Sequence, residues 1–148
     1  MLAAMQRRGT TLLELLVMIL LLALLLGLGL PAIGGLRDRL AVDASVQAVT
    51  AALSRARLVA VAEQRIAILT LAQDSLVVRV VESPADTVLR WRGPGPGTER
   101  VAATGVPRSL WFAPSGATIG VANGSYLLTR GVARRQIIIS RYGRVRVV

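Results

Sequence analysis

The sequence predicts an α+β protein: a long N-terminal helix, membrane-embedded in its first half and amphipathic in its second, packed on an antiparallel β-sheet domain. Three observations lead there. Apolar residues run without a break from Leu15 to Ile33 and then recur at roughly helical spacing as far as Glu63. Beyond Glu63 the pattern changes to short apolar runs separated by turn formers, which reads as strands. The chain has no cysteine, so the small domain must be held by core packing and not by disulfides.

The first apolar run is 19 residues long. At the helical rise it covers about 28 Å, close to the roughly 30 Å hydrocarbon core of a bilayer, so the segment is expected to span a membrane. Past Pro31, the residues Leu36, Leu40, Val46, Val49, Leu53 and Ala60 form the stripe expected to face the sheet. This predicts one helix from about Thr11 to Glu63, loosened at Gly34 and Gly35; two separate helices are the alternative. Strands are expected at Ile66–Leu71, Leu76–Val81 and Val88–Trp91, joined as antiparallel hairpins by their short turns. Gly93–Gly97 is expected to be an overhanging loop. Further strands are predicted at Leu110–Phe112, Ala117–Gly120, Ser125–Thr129, Gln136–Ser140 and Val145–Val148.

A lone carboxylate, Glu14, sits at the lip of the membrane-length segment, where a charge costs roughly 2.5 to 3.5 kcal/mol on insertion scales. A secretory signal would place its cleavage site after the apolar run, whereas the candidate site here, Gly9, precedes it, so cleavage would keep the anchor. Arg7-Arg8-Gly9-Thr10-Thr11-Leu12-Leu13-Glu14 resembles the type III signal of type IV prepilins and pseudopilins. The resemblance implies that a prepilin peptidase cuts after Gly9 and methylates the new N-terminus. That residue is Thr10, where the family usually has phenylalanine. Pro31, with Gly27 and Gly29 before it, matches the family's helix break. Glu14 would then serve assembly by neutralising the N-terminal ammonium of a neighbouring subunit in a low dielectric. The alternative is a plain anchor whose Glu14 reaches the head groups. The expected organisation is a leader at 1–9, a transmembrane and assembly helix at 10–35, an amphipathic helix at 36–63 and a β-sheet domain at 64–148.

Three further strings narrow the resemblance: Leu53-Ser54-Arg55-Ala56-Arg57, Phe112-Ala113-Pro114-Ser115-Gly116, and Arg134 to Ser140 followed by Gly143-Arg144-Val145-Arg146. They are similar to the GspH/FimT family of minor pseudopilins. The resemblance implies a pilin-like fold and a structural subunit of a type IV pilus or type II secretion filament. Its partners would be prepilin peptidase and other pilins. It would be held in the inner membrane with its N-terminus cytoplasmic and its C-terminal domain periplasmic. A membrane-anchored periplasmic adaptor that never polymerises is the rival reading.

Enzyme chemistry is disfavoured by the residue inventory. The chain has neither histidine nor lysine, and its eighteen basic residues are all arginine, so a His base or a Ser–Lys site is unavailable. The acids past the anchor are spread singly, and no catalytic residue, cofactor or metal is expected. The charge is uneven: from Arg100 onward there are eight arginines and no acid. In an extended segment Arg144 and Arg146 share a face about 6.8 Å apart, with Val145 and Val147 turned to the core. With Arg141, Arg134 and Arg135, a hairpin could gather five guanidinium groups on one edge, a row suited to phosphates. In FimT-like proteins a GRxR motif is associated with DNA uptake, and Gly143-Arg144-Val145-Arg146 matches it. Hence a DNA-binding minor pilin is one alternative, sequence-independent and salt-sensitive; a solvated charged edge against aggregation is the other.

Overall fold

A computed structural model describes residues 11–106, 108–120, 124–140 and 143–148, without the side chains of residues 28–33. One helix, α1, runs from Leu12 to Glu63 and stays helical across Pro31, Gly34 and Gly35. The chain divides into two compact units, one ending at Gly34 and one comprising Gly35–Val148.

Thr11 caps α1: its Oγ1 accepts a bond from the Glu14 amide at 3.2 Å, and its carbonyl accepts one from the Leu15 amide. Thr11 and Glu14 thus stand at the first and fourth places of a capping box, of which this half is made. In the first unit the large apolar side chains from Leu12 to Leu26 are bare, with exposures from 46 to 79%. Among the described residues no helix is long and apolar enough to cross a membrane. The described run stops at Gly27, six residues short of the Ile33 counted in the sequence.

Among the described residues nine strands follow in the second unit: β1 (Ala67–Leu71), β2 (Ser75–Ser83), β3 (Asp86–Pro94), β4 (Ala102–Thr104), β5 (Arg108–Phe112), β6 (Thr118–Ile119), β7 (Gly124–Arg130), β8 (Ala133–Ile139) and β9 (Val145–Val147). They form two antiparallel sheets, ordered β3-β2-β1-β5-β6 and β4-β7-β8-β9. The two hairpins predicted from turn length are present, but β1 also pairs with β5, placing Leu69 opposite Leu110. That pairing joins segments about forty residues apart.

The core is shared by α1 and both sheets. Val42, Val46, Val49, Leu53, Ala56 and Ala60 from the helix meet Leu69, Val78, Leu110 and Phe112 of the first sheet and Tyr126, Leu128, Ile137 and Ile139 of the second. Ala52, Ala56 and Ala60 are fully buried; their small side chains let the sheets approach the helix backbone. Leu36 and Leu40 depart from expectation: they are 58% and 60% exposed. The buried stripe starts at Ala41 and Val42, and Leu40, two residues before Val42, lies about half a turn round the helix from it, on the side away from the sheets.

The Gly-Pro segment does not overhang. Gly93 and Pro94 finish β3, Pro96 is buried, and Pro96–Glu99 forms a 3-10 helix. The turn between β1 and β2 holds it down. Gly95 and Gly97 donate to the carbonyls of Asp74 and Gln73 at 3.1 and 2.7 Å. The Gln73 amide reaches further, donating to the Val101 carbonyl at 2.6 Å and accepting from the Ala103 amide at 3.0 Å, which fixes β4.

Candidate functional site

Three of the strings that carried the resemblance meet at one side chain. Arg57, near the end of α1, donates from Nη2 to the Gly143 carbonyl at 2.8 Å. Its guanidinium lies 5.9 Å from the centre of the Phe112 ring. Its stem packs where Gly116 turns: a Cβ there would stand 3.2 Å from Arg57 Cγ. Gly143 is required for the same reason, since φ is +73° and a Cβ would press on Arg57 Nη2. The helix string, the Phe112–Gly116 turn and the GRVR turn are therefore one packed junction. The sequence names each string but carries no signal that they touch.

The GRVR turn leads into the edge of the second sheet. Ser140 donates to the Arg144 carbonyl at 2.9 Å, Arg146 stands opposite Ile138, and Val148 exchanges two bonds with Gln136 at 2.8 Å each. Arg144 and Arg146 thus extend one exposed face of β9. Val145 packs against the core as expected, but Val147 is 46% exposed, because it sits on the outermost strand beyond the helix.

The other arginines are dispersed. Arg134 and Arg135 lie inside β8, not before it, so they point to opposite faces. Arg135 turns to the helix side and pairs with Asp43 at 3.2 Å. Arg134 shares the outer face with Arg146 but sits four residues away from its partner position, about 13 Å along the strand. The outer face therefore offers Arg134, Arg144 and Arg146, each without an ion pair among the described residues. Arg141 lies outside the described residues, as do Gly9 and Thr10; Pro31 is helical in backbone.

Glu14 is exposed at the first turn of α1, where the helix dipole favours a carboxylate. Its place in the capping box was legible as Thr-x-x-Glu and gives it a local role besides assembly.

The second face of α1 completes the picture. Leu36, Leu40, Ala44, Ala51 and Leu58 recur every four or seven residues on the side away from the sheets and are all exposed. A helix that is apolar on both sides expects a second partner.

An N-terminal helix with such a bare face, laid on antiparallel sheets, is the architecture of pilin-like filament subunits. The chain belongs to the GspH family, whose model, described as "Type II transport protein GspH", matches residues 45–143. It is 30% identical to "Pilin-like protein PilA1" of Thermus thermophilus, over 97% of this chain and 99% of that one. The fold is similar to that of the type IV minor pilin FimU of Pseudomonas aeruginosa in two crystal forms. TM-scores are 0.58 and 0.57 at 17% and 18% identity, covering 72% of this chain and 87% and 91% of those. The family and the fold are those of structural pilin subunits, and the chain is a minor pilin or pseudopilin.

Proposed function

We propose that this protein is made with a leader ending at Gly9, cleaved there by prepilin peptidase, and held in the inner membrane by the segment at 10–35. From there it joins other pilins in a type IV pilus or type II secretion filament, the domain at 36–148 being periplasmic before assembly. The observation that carries the reading is the second apolar face of α1, from Leu36 to Leu58, which is exposed and has no partner among the described residues. Stacked helices would bury it, and Glu14 would neutralise the N-terminal ammonium of a neighbour, on Thr10, methylated or not. The test is the mass of the mature protein recovered from cells with a prepilin peptidase. Cleavage after Gly9 and co-purification with pilins are expected. A full-length chain that functions without cleavage would leave the membrane-anchored adaptor.

A second reading is favoured by Arg144 and Arg146 at the sheet edge, exposed and without an ion pair among the described residues: this subunit also binds DNA through phosphate contacts. Gel-shift titration of residues 35–148 should then show sequence-independent binding that weakens with salt at a logarithmic slope near −0.9 per phosphate on duplex DNA. Arg144→Ala/Arg146→Ala should lower that slope by about two contacts. Equal binding by the variant would remove the DNA role.

A further inference from the structure

The end of the Gly35–Val148 unit at which α1 enters carries a ring of arginine around exposed apolar side chains. Arg37 and Arg39 stand on the first turns of this part of α1, Arg100 caps the 3-10 helix, and Arg134 is the second residue of β8. None of the four has an ion pair among the described residues. The nearby acids are largely committed: Asp38 pairs with Arg130 at 3.0 Å and Asp43 with Arg135, leaving Glu99. Arg37, Leu40, Arg100 and Arg130 border an open groove of about 530 Å³, and Arg39 and Arg134 border another of about 330 Å³ on the other side. At the second groove the turn joining β7 and β8 holds Val132 outward, 79% exposed, the turn being fixed by Gly131 (φ +52°) closing on Asp38. Arg100 itself is held at φ +55°, a conformation that non-glycine residues adopt at a cost and that aims it at the groove rim.

Surplus cation around protruding valine and leucine is the composition of a surface that settles into the head-group layer of an anionic bilayer. Arg37 follows the end of the apolar run at Ile33 by only four residues. We propose that this face docks the domain on anionic phospholipid head groups before assembly, with Val132 entering the interface and Arg37, Arg39, Arg100 and Arg134 contacting phosphates. The inference rests on the membrane anchoring proposed above.

Because the chain has no cysteine, Val132→Cys supplies a single thiol for an environment-sensitive dye. Asp86→Cys, at the exposed start of β3 opposite Ser83 and near the C-terminal end of α1, where Glu63 pairs with Arg90 of the same strand, is the control position. The full chain is reconstituted at low density in vesicles of phosphatidylcholine alone or mixed with phosphatidylglycerol, some lipids carrying a head-group spin label. Expected are a blue shift and quenching at position 132 in the anionic vesicles only, reversed by salt, with no change at position 86. Replacing arginines by glutamine at positions 37, 39, 100 and 134 should reduce the docked-to-free ratio about fivefold each. A response equal in neutral vesicles, unaltered by the substitutions, or appearing only as protein density rises would overturn the proposal, the last pointing to a second copy. Flotation separates the two readings. A chain that does not float with either vesicle refutes the anchoring and the docking together; one that floats while position 132 stays in water refutes the docking alone.

Discussion

Removing Arg57 tests whether the three-string junction is a structural centre. In Arg57→Ala the buried Gly143 carbonyl loses a charge-assisted bond of 2.8 Å in a partly buried setting, a loss of about 1 to 2 kcal/mol. The ring contact at 5.9 Å is near the outer limit of such interactions and adds about 0.5 kcal/mol. The stem methylenes against the Gly116 turn add a similar amount. The sum is about 2 to 3 kcal/mol, which for a unit of this size lowers Tm by roughly 10 °C. Melting of residues 35–148 followed by circular dichroism gives the readout. Arg55→Ala is the control, because among the described residues Arg55 makes a ring contact, 5.1 Å from Trp91, and no ion pair, and should lose less than about 1 kcal/mol. If both variants melt alike, or Arg57→Ala falls by less than about 1 kcal/mol, the junction is incidental and the reasoning fails.

Charge and capping at Glu14 separate in two variants, since glutamine also completes a capping box but carries no charge. Filament incorporation, measured by immunoblot of sheared filaments, should be lost in both Glu14→Gln and Glu14→Ala if pairing with an ammonium drives assembly; a normal Glu14→Gln would reduce Glu14 to a cap. Tyr126 is buried with a hydroxyl that finds no partner among the described residues, so Tyr126→Phe should be neutral or stabilising by about 1 kcal/mol in urea melts. Burial raises the Tyr126 pKa, so the wild type holds this contribution below the unfolded tyrosine's pKa and loses it as pH rises through the folded value. The phenylalanine variant should lack that alkaline loss. Glu63 has its pKa lowered by the two-pronged bond from Arg90, 2.7 and 2.9 Å, so its contribution is present above the unfolded pKa and lost as pH falls through the folded one. Glu63→Gln should flatten the acid side of the stability profile, and an unchanged slope would dismiss the pair.

Local physics explains what could be read in advance. The helix, the hairpins and the class of the fold follow from periodicity and turn residues, which act within a few positions. Leu36 and Leu40 are apolar like the core stripe, but spacing does not say which apolar face is covered; Leu40 is about half a turn from the buried Val42, and both leucines lie on the side away from the sheets. The 3-10 helix at Pro96–Glu99 and β4 were missed because both depend on Gln73, more than twenty residues earlier, supplying their bonding partners. Arg134 and Arg135 looked like part of one cationic row, yet neighbouring strand residues alternate, and Asp43 on the helix takes one of them. The junction at Arg57 was visible only as three separate strings, since contact between distant segments leaves no trace in spacing.

The outward leucines of α1 have a practical sequel in solution. A soluble fragment that retains Leu36, Leu40 and Leu58 presents a greasy ridge to water, and two such ridges can bury one another. Fragments of this kind should dimerise as they are concentrated, so a titration performed at high protein would count pairs where it means to count single molecules.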